Sequence, residues 1–425
     1  MKNPWQRLVP VYNKETHSRS FWFFAAVTAL GFVLAGLRMV SPLGRYSGMN
    51  DAYAWGVWKI FNVMTLTAIG SGGLAVGLAA WVFGREKLHL AMRTALVTSF
   101  LFYFTGMMAL IVDVGRPWNF WHIVLPWHWN GHSALLEVAV CMPTYAFLFL
   151  LFENVPMVLE RFSYIGSDRT KARIARIEPY LRKVYPFAVA GAYLLPLMHQ
   201  SSLGGLMLLS GPKVHPIWQT QALPLLYVLA ACICGFAFVN WTLLFTCFRY
   251  RRPVSIEVVS EIGSLMSWVT IAWLAIRFGD LALRGQFGAV LAFDRYSFLF
   301  FAETILLAVP AVLLRSKARR ETPRTLINCS ALAGIGGLLY RFTPTAFAFT
   351  PAKAYSYFPT LPEVLMTIGF ISFGILAWRI AVRYFAILPG TLEEWEENSW
   401  EPLFVSLRAR FHKKAQGAPT WQESP

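Results

Sequence analysis

Residues 222–248 read ALPLLYVLAACICGFAFVNWTLLFTCF, and the basic run Arg249-Tyr-Arg-Arg252 follows directly. About 20 apolar residues are enough for a helix to cross the hydrocarbon core of a bilayer, so this stretch predicts a transmembrane helix that ends in a basic loop. The same pattern recurs along the chain and predicts ten spans: 21–40, 56–83, 91–114, 133–153, 185–208, 222–248, 257–278, 293–314, 325–347 and 364–386. We therefore predict an all-α polytopic membrane protein, with a transmembrane domain at 21–387 between terminal segments at 1–20 and 388–425.

The composition of the chain supports this class. The sequence is 56% hydrophobic and 14% charged, whereas a soluble domain carries roughly a quarter charged residues. Long helices that are so evenly apolar are also rare in the core of a soluble protein. The composition therefore favours membrane spans over buried core helices.

The positive charge of the chain alternates along the sequence. The formal net charge is +16, and most Lys and Arg residues lie in the terminal segments and in every second connection. Because basic loops stay in the cytoplasm, this pattern places both termini on the cytoplasmic side of the membrane. The charge therefore indicates topology and attraction to anionic lipid, and we expect no nucleic-acid partner.

Metal ligands are scarce within the predicted spans. The five cysteines all fall within spans and form no C-x-x-C pair, which argues against a zinc or iron–sulfur site. A b-type haem held across a bundle needs histidines that face one another within spans. Only His199 clearly lies inside a predicted helix, and the others are His17, His89, His122, His128, His132, His215 and His412. We therefore predict neither haem nor any other metal in this chain.

Ionisable residues gather toward the outer half of the predicted spans. Charges are expensive inside a bilayer, so each one is a functional candidate. The group comprises Lys59, Asp113, Glu137, His199, Arg277, Asp280, Asp294, Glu303 and Arg341. A histidine and carboxylates in a polar cavity can exchange the protons that quinone chemistry requires. Alternatively, pairs such as Arg277 with Asp280 neutralise one another and serve only assembly.

Two connections have unusual composition. The outward connection 115–132 is rich in Trp and His, which suits an aromatic belt, a docking surface for another protein or the mouth of a pocket. The inward loop 154–184 mixes Arg and Lys with apolar residues and predicts an interfacial helix. Span 2 carries Gly70-Ser-Gly-Gly, which favours close packing of helices.

Several stretches resemble one known family of membrane subunits. They are Val112-Asp-Val-Gly-Arg-Pro-Trp-Asn, Ser133-Ala-Leu-Leu-Glu, Leu195-Pro-Leu-Met-His-Gln-Ser-Ser-Leu-Gly-Gly and Lys213-Val-His-Pro-Ile-Trp-Gln. Shorter pieces are Trp55-Gly-Val-Trp, Arg277-Phe-Gly and Tyr355-Ser-Tyr-Phe-Pro. Together they are similar to the NrfD/polysulfide-reductase integral membrane family, most closely its hydrogenase-2-type members. The likeness covers residues 50–386.

The resemblance implies a fold of two four-helix bundles with flanking helices, and a quinone site near the periplasmic face. It implies a ferredoxin-like iron–sulfur partner subunit and the large and small subunits of a periplasmic [NiFe] hydrogenase, with menaquinone as the electron acceptor. Family members are also suspected of proton translocation. Carried onto matching positions, the quinone or protonation candidates are Asp113, Arg116, Glu137, His199, Gln200 and Trp218. The proton-path candidates are Glu303, Arg277 and Asp280.

Other functions stay open from the sequence. Asn62 stands where some relatives have an acid, which puts proton coupling in doubt but not quinone reduction. A related membrane protein of the same family could instead oxidise quinol for polysulfide or nitrite reduction. A proton or solute transporter is a third reading, in which Pro196 and Pro224 would break spans 5 and 6.

Overall fold

A computed structural model describes residues 18–53, 55–131, 133–250, 254–352 and 354–388. These residues are almost wholly helical, and the only β feature among them is a bridge between Val214 and Phe349. The predicted all-α class is therefore confirmed. Most of the terminal segment 1–20 and nearly all of the tail 388–425 lie outside the described residues.

Ten long helical segments coincide with the ten predicted spans. Their bounds are α1 Arg19–Met39, α2 Trp58–Val82, α3 His89–Asp113, α4 (the consecutive Ala134–Pro143, Thr144–Leu150 and Leu151–Ile165), α5 Asp168–Leu209, α6 Leu223–Arg249, α7 Ile256–Leu283, α8 Arg295–Leu313, α9 Pro323–Phe342 and α10 Leu361–Tyr384. By length and composition, eight of the described helices can cross a membrane. The exceptions are α5 and α9, whose apolar stretches are interrupted by polar residues such as His199, Gln200 and Arg341.

The helices form two four-helix bundles. Helices α2–α5 pack around one another, α6–α9 pack around one another, and α6 joins the bundles by packing on α2, α3 and α5. Helices α1 and α10 pack together and cover α3 from outside. The first bundle is α2–α5 and the second is α6–α9, with α1 and α10 as the flanking helices that the resemblance implied.

The glycines of span 2 allow α2 and α6 to touch. A Cβ on Gly72 would lie 2.6 Å from Cγ2 of Val239, and a Cβ on Gly235 would lie 2.8 Å from the backbone of Ser71. Larger residues would force the two bundles apart. The predicted packing role of Gly70-Ser-Gly-Gly is thus confirmed.

Four described helical stretches adopt π-helical geometry. They are Trp58–Leu66, Leu78–Val82, Thr144–Leu150 and Thr343–Phe347. A π segment shifts backbone groups out of the regular α pattern and frequently occurs at functional sites. Two of these segments, Trp58–Leu66 and Thr343–Phe347, border the buried polar residues considered below.

The inward loop 154–184 differs from its prediction. Instead of a separate interfacial helix, α4 and α5 extend to a turn at Gly166 and Ser167. Helix α5 also runs without interruption through Pro196, and Pro224 lies in the first turn of α6. The breaks that a transporter reading expected at these prolines are therefore absent, because each proline is accommodated within or at the start of a helix.

The two ends of the molecule differ in composition. One end carries the connection between α3 and α4, which contains the short helices Pro117–Val124 and Pro126–His128. We call this the Trp-rich end. The other end carries the turn between α4 and α5 and the loop between α8 and α9, and we call it the basic end.

Candidate functional site

Buried polar side chains form three clusters between the helices. The His199 cluster lies in the first bundle and contains His199, Gln200, Tyr103 and Thr67. The Asp113 cluster lies near the Trp-rich end and contains Asp113, Lys59 and Arg38. The Glu303 cluster lies in the second bundle and contains Glu303, Trp218, Arg277 and Tyr340. The quinone candidates therefore divide among separate sites.

Helices α2, α3 and α5 position the His199 cluster. The Gln200 amide donates to the Tyr103 hydroxyl at 3.0 Å and to Thr67 Oγ1 at 3.3 Å. Thr67 in turn donates to the Val63 carbonyl at 2.5 Å. The Tyr103 ring lies 5.6 Å from the His199 ring. These bonds fix the amide and the phenol around the imidazole.

His199 itself has no protein partner among the described residues. Its side chain is completely buried, and both ring nitrogens lack a hydrogen bond. Gln200 Oε1 and both side-chain amide atoms of Asn62 are also buried without partners. Native proteins rarely leave buried polar atoms unsatisfied, so such atoms indicate a ligand or ordered water.

Arg341 connects the two bundles beside this cluster. From α9 it donates to the carbonyl of Met64 at 2.7 Å and to the carbonyl of Tyr227 at 2.6 Å. Its guanidinium also lies 4.5 Å from the centre of the Tyr227 ring. Met64 belongs to the π segment of α2, and Tyr227 belongs to α6. Arg341 thus bridges helices of both bundles with a buried positive charge.

The Asp113 cluster lies at the C-terminal end of α3. Asp113 forms an ion pair with Lys59 at 2.9 Å, and its second oxygen, Oδ1, is buried without a partner. Arg38 of α1 donates to the Val114 carbonyl at 2.6 Å and contributes a second positive charge near Asp113. A carboxylate with one free oxygen is available to accept a hydrogen bond or a proton.

Tyr357 and Glu363 form a second polar group at the same end. The Tyr357 hydroxyl donates to Glu363 Oε1 at 2.9 Å and accepts from the Val57 amide at 2.6 Å. Glu363 also accepts from the Gly48 amide at 2.9 Å. Burial and the adjacent Glu363 raise the pKa of Tyr357, so the phenol remains a donor. These bonds anchor the connection before α10 against the start of α2.

The Glu303 cluster is held in the second bundle. The Trp218 indole donates to Glu303 Oε2 at 3.0 Å, while Glu303 Oε1 has no partner. Arg277 is 1% exposed, and none of its three nitrogens has a partner. Its guanidinium lies 5.4 to 5.9 Å from the ring centres of Tyr340, Phe300 and Trp218. The aromatic faces favour the cation, and the unpartnered polar atoms could be satisfied by ordered water.

The Lys213-Val-His-Pro-x-Trp stretch explains how Trp218 enters this cluster. The His215 amide donates to the Ala348 carbonyl at 2.9 Å, and the Trp218 amide donates to the His215 carbonyl at 2.9 Å. This turn directs the indole into the second bundle. The half-buried His215 ring stacks on Tyr296 at 4.0 Å. Burial lowers the pKa of His215, and the nearby Asp294 carboxylate opposes that shift.

Asp280 forms its ion pair with Arg284 and not with Arg277. It accepts two hydrogen bonds from Arg284, at 2.9 and 2.6 Å, and one from the Thr220 hydroxyl. Arg284 also donates to the carbonyls of Pro216 and Gln219 at 2.7 and 2.8 Å. The suggested Arg277–Asp280 neutralisation is therefore wrong, because Arg284 holds the Asp280 carboxylate. The pair instead fixes the turn that precedes α6.

Two candidates of the Trp-rich end remain. Arg116 is exposed and precedes the helix Pro117–Val124, next to four exposed tryptophans, Trp118, Trp121, Trp127 and Trp129. His122 and His128 stack there at 4.2 Å. Glu137 lies on α4, but its side chain is outside the described part of the structure, so its prediction cannot be placed in a cluster.

Sequence reasoning missed several residues of these clusters. Tyr103 and Arg38 were not among the predicted site residues. Aromatic residues are common within apolar spans, and arginines are common near their ends, so neither residue is unusual in the sequence. Arg341 was noted for its depth but was not selected, although a lone arginine within a span is a strong signal. Its backbone partners come from distant helices, which no local pattern reveals.

Comparison with known proteins identifies the family of this chain. The sequence profile of the family described as "Polysulphide reductase, NrfD" matches residues 45–347. The chain is 35% identical over 387 residues, 90% of this chain and 96% of the relative, to the "Probable Ni/Fe-hydrogenase 2 b-type cytochrome subunit" of Escherichia coli.

Two more distant relatives share most of the length. The chain is 28% identical to the "Menaquinone reductase, integral membrane subunit" of Nitratidesulfovibrio vulgaris, over 82% of this chain and 86% of the relative. It is 18% identical to a selenate reductase subunit of Mesobacillus selenatarsenatis, over 85% and 92%. The profile match and the first relative together show that this chain belongs to the NrfD family of integral membrane subunits of oxidoreductase complexes.

Proposed function

We propose that this chain is the quinone-reactive membrane subunit of a periplasmic [NiFe] hydrogenase complex, in which it passes electrons to menaquinone. The observation that carries the proposal is the His199 cluster, where an enclosed imidazole with two free nitrogens lies beside an ordered phenol and amide. A quinone ring presents two carbonyl oxygens that need hydrogen-bond donors. The names of the hydrogenase-2 and menaquinone reductase relatives support this class of partner and substrate.

The cluster suits quinone chemistry through its hydrogen-bonding capacity. When bound, quinone takes up two electrons and two protons. His199 can donate from either ring nitrogen, according to its tautomer, and can pass on a proton. Gln200 and Tyr103 hold one another at 3.0 Å, which orients the surroundings of the imidazole. Glu137, on α4, remains a candidate for supplying protons.

The Asp113 cluster gives the site a route toward the Trp-rich end. Asp113 and Tyr103 both belong to α3 and are ten residues apart, about 15 Å along the helix. Asn62 lies between them, because its backbone carbonyl would contact a Cβ placed on Gly106 at 3.0 Å. Asp113 of α3 and Asn62 of α2 thus lie along the α2–α3 interface, and His199 of α5 adjoins it at Tyr103. We propose that protons reach the quinone along this interface.

The Glu303 cluster supplies the second part of the proposal. This cluster is a buried polar region that can hold water and relay protons. Trp218 contacts both Glu303 and Arg277, and Tyr340 contacts Arg277. Trp218 therefore serves the proton-path group rather than the quinone group. Asp280 would act only at the entrance of this path, since Arg284 fixes it next to the connection before α6.

The orientation follows from charge and from the proposed partners. We propose that the basic end faces the cytoplasm of a bacterial inner membrane, with both termini on that side. The Trp-rich end would then face the periplasm, where a ferredoxin-like iron–sulfur protein could dock near Arg116 and the exposed tryptophans. Aromatic and arginine side chains are enriched in the centres of such interfaces. The hydrogenase large and small subunits would lie beyond it.

The name of the Escherichia coli relative, a b-type cytochrome subunit, raises the question of haem binding. The answer depends on which histidines of this chain could act as haem ligands. Among the described residues, His199 is the histidine in a bundle interior, whereas His89, His122, His128 and His215 lie at a helix start or in connections. Two facing histidines within the bundles are therefore not available from the described chain. We propose that the electrons come from iron–sulfur clusters of the partner subunit without a haem in this chain.

An activity split tests the proposal. We expect His199→Ala to reduce the rate of electron transfer from hydrogen to a menaquinone analogue by at least tenfold. The rate of hydrogen oxidation with an artificial dye should stay within twofold. The reason is that a catalytic proton donor typically raises a rate by about 10²–10⁴-fold. Rates are measured per amount of assembled complex, so that assembly defects are excluded. His215→Ala is the matched control and should leave both rates unchanged. An unchanged quinone rate in His199→Ala would contradict the proposal.

Quinol oxidation for another reductase is the second candidate function. The selenate reductase relative favours it, since the name describes a complex that reduces a terminal acceptor. The greater identity to the hydrogenase-2 relative supports the first candidate. The two differ in their redox partner, so co-purification of hydrogenase subunits with this chain would decide between them.

A further inference from the structure

Helix α5 is longer than a bilayer requires. It contains 42 residues from Asp168 to Leu209, which corresponds to about 63 Å. The hydrocarbon core of a bilayer is about 30 Å thick, and the whole bilayer with its headgroups is about 40–45 Å. The first part of α5 therefore projects beyond the hydrocarbon at the basic end. Together with the end of α4, it forms a helical arm that comprises residues 151–184.

One face of α5 stays apolar and exposed along most of its length. Side chains exposed on this face include Leu209, Leu194, Phe187, Tyr180 and Ile177. From Leu209 to Ile177 the helix rises by about 48 Å. With an average tilt of about 20°, this corresponds to about 45 Å along the bilayer normal. The exposed apolar line thus spans the hydrocarbon and both headgroup layers, and it ends in the headgroup region of the basic end.

Basic residues continue this line beyond the apolar residues. Arg169, Arg173, Arg176, Tyr180 and Lys183 follow one another at spacings of four, three, four and three residues, which places them on one helical face. All five are exposed, and Lys183 Nζ lies 6.0 Å from the centre of the Tyr180 ring. Phe187 lies four residues further on. The order along the face is arginine, then aromatic, then apolar.

The opposite face of the arm is already occupied. Thr170, Ile174, Glu178 and Leu181 are partly buried at a repeating spacing of four and three residues, where α5 packs on the end of α4. Lys171 lies off the basic face and pairs with Asp168 at 3.6 Å. In the described part of the chain, Arg169, Arg173 and Arg176 form no ion pair. Their charges are therefore available to a partner outside this chain.

We propose that Arg169, Arg173, Arg176 and Lys183 form a binding surface for anionic phospholipid headgroups at the basic end of the molecule. The sequence of apolar, aromatic and cationic side chains matches the depth profile of a bilayer from acyl chains to phosphate. Anionic lipids attract basic side chains close to the membrane, with about a fivefold gain in partitioning for each Lys or Arg. Tyr180 sits at the headgroup level, and the arginines reach the phosphates. This surface is independent of the quinone site and of the hydrogenase assignment.

Amide hydrogen exchange of the full chain in lipid nanodiscs tests this surface. We expect residues 168–184 to exchange at least about fivefold more slowly in nanodiscs that contain phosphatidylglycerol than in nanodiscs of phosphatidylcholine alone. The triple variant R169Q/R173Q/R176Q should lose this difference. The matched control K317Q/R319Q/R324Q removes three exposed charges from the α8–α9 connection and the first turn of α9, at the same end, and should keep this difference.

Three results would overturn the proposal. The first is equal exchange of residues 168–184 in both lipids, and the second is a lipid dependence that survives in the triple variant. The third is protection that arises in phosphatidylcholine nanodiscs when the other subunits of the complex are present, since a protein would then cover the arm. High salt gives an additional check, because exposed ionic contacts weaken as the Debye length falls to about 3 Å at 1 M.

Discussion

The buried Glu303–Arg277 pair allows a quantitative prediction. Among the described residues, neither Glu303 Oε1 nor any Arg277 nitrogen has a direct partner, and both side chains contact Trp218 in the Glu303 cluster. If one water bridges the two groups, their charges are roughly 5–6 Å apart. At an effective dielectric constant of about 20, two unit charges at that distance attract by about 3 kcal/mol. This energy should appear as coupling between substitutions at the two positions.

A double-mutant cycle measures the coupling. Glu303→Gln weakens the bond from Trp218 and leaves Arg277 uncompensated, while Arg277→Gln leaves Glu303 uncompensated. Each single variant should lose about 3–5 kcal/mol of unfolding free energy, as for other broken buried pairs. The double variant removes both charges. It should therefore be about 3 kcal/mol more stable than the sum of the two single effects predicts.

Equilibrium unfolding of the purified protein in mixed detergent micelles is the assay. Asp280 and Arg284 provide a matched control, since they form an acid–arginine pair in the same bundle but are partly exposed. Their coupling should be about 1 kcal/mol or less. Additive effects of Glu303→Gln and Arg277→Gln, within about 0.5 kcal/mol, would refute the inference that the two charges interact across the cluster.

Three further outcomes follow from the same structure. Glu303→Gln should lower proton uptake per hydrogen oxidised, and normal uptake at normal turnover would reduce Glu303 to a structural residue. Glu137→Gln should slow quinone reduction but not hydrogen-to-dye activity, and an unchanged quinone rate would remove Glu137 from the mechanism. Because burial lowers the pKa of His215, the unfolded chain binds a proton more readily, and stability should fall as the pH drops below about 6.5. His215→Phe keeps the stacking on Tyr296 and should reduce this acid sensitivity of the melting temperature; an identical pH profile would show that His215 does not contribute.

The fold could be predicted largely from the sequence because membrane helices are determined by local composition. The span 222–248 became Leu223–Arg249, and the span 257–278 became Ile256–Leu283. The inward loop 154–184 was misread because the periodicity of an interfacial helix and of an extended span is the same. Only the continuous path of α5 from Asp168 shows that the basic segment is an extension of the helix that contains span 5.

The site was predictable in its residue types but not in its grouping. His199 and Gln200 adjoin each other in sequence, and both contact Tyr103 in one cluster. Trp218 was assigned to the quinone group, yet its indole reaches Glu303 of α8, 85 residues away. Arg341 bonds carbonyls of α2 and α6, and such contacts depend on how the two bundles pack. Sequence patterns identify which side chains are unusual, whereas tertiary packing decides which of them meet.

Photolabelling with an azido-menaquinone analogue tests the central claim most directly. The assembled complex is illuminated with the analogue, with and without excess menaquinone, and the labelled peptides are identified by mass spectrometry. If quinone binds at the His199 cluster, label that menaquinone displaces should lie within residues 99–107 of α3 or 195–203 of α5. Displaceable label confined to the basic end, or to the groove of about 500 Å³ lined by Arg295, Phe298, Leu299 and Phe347, would contradict the account.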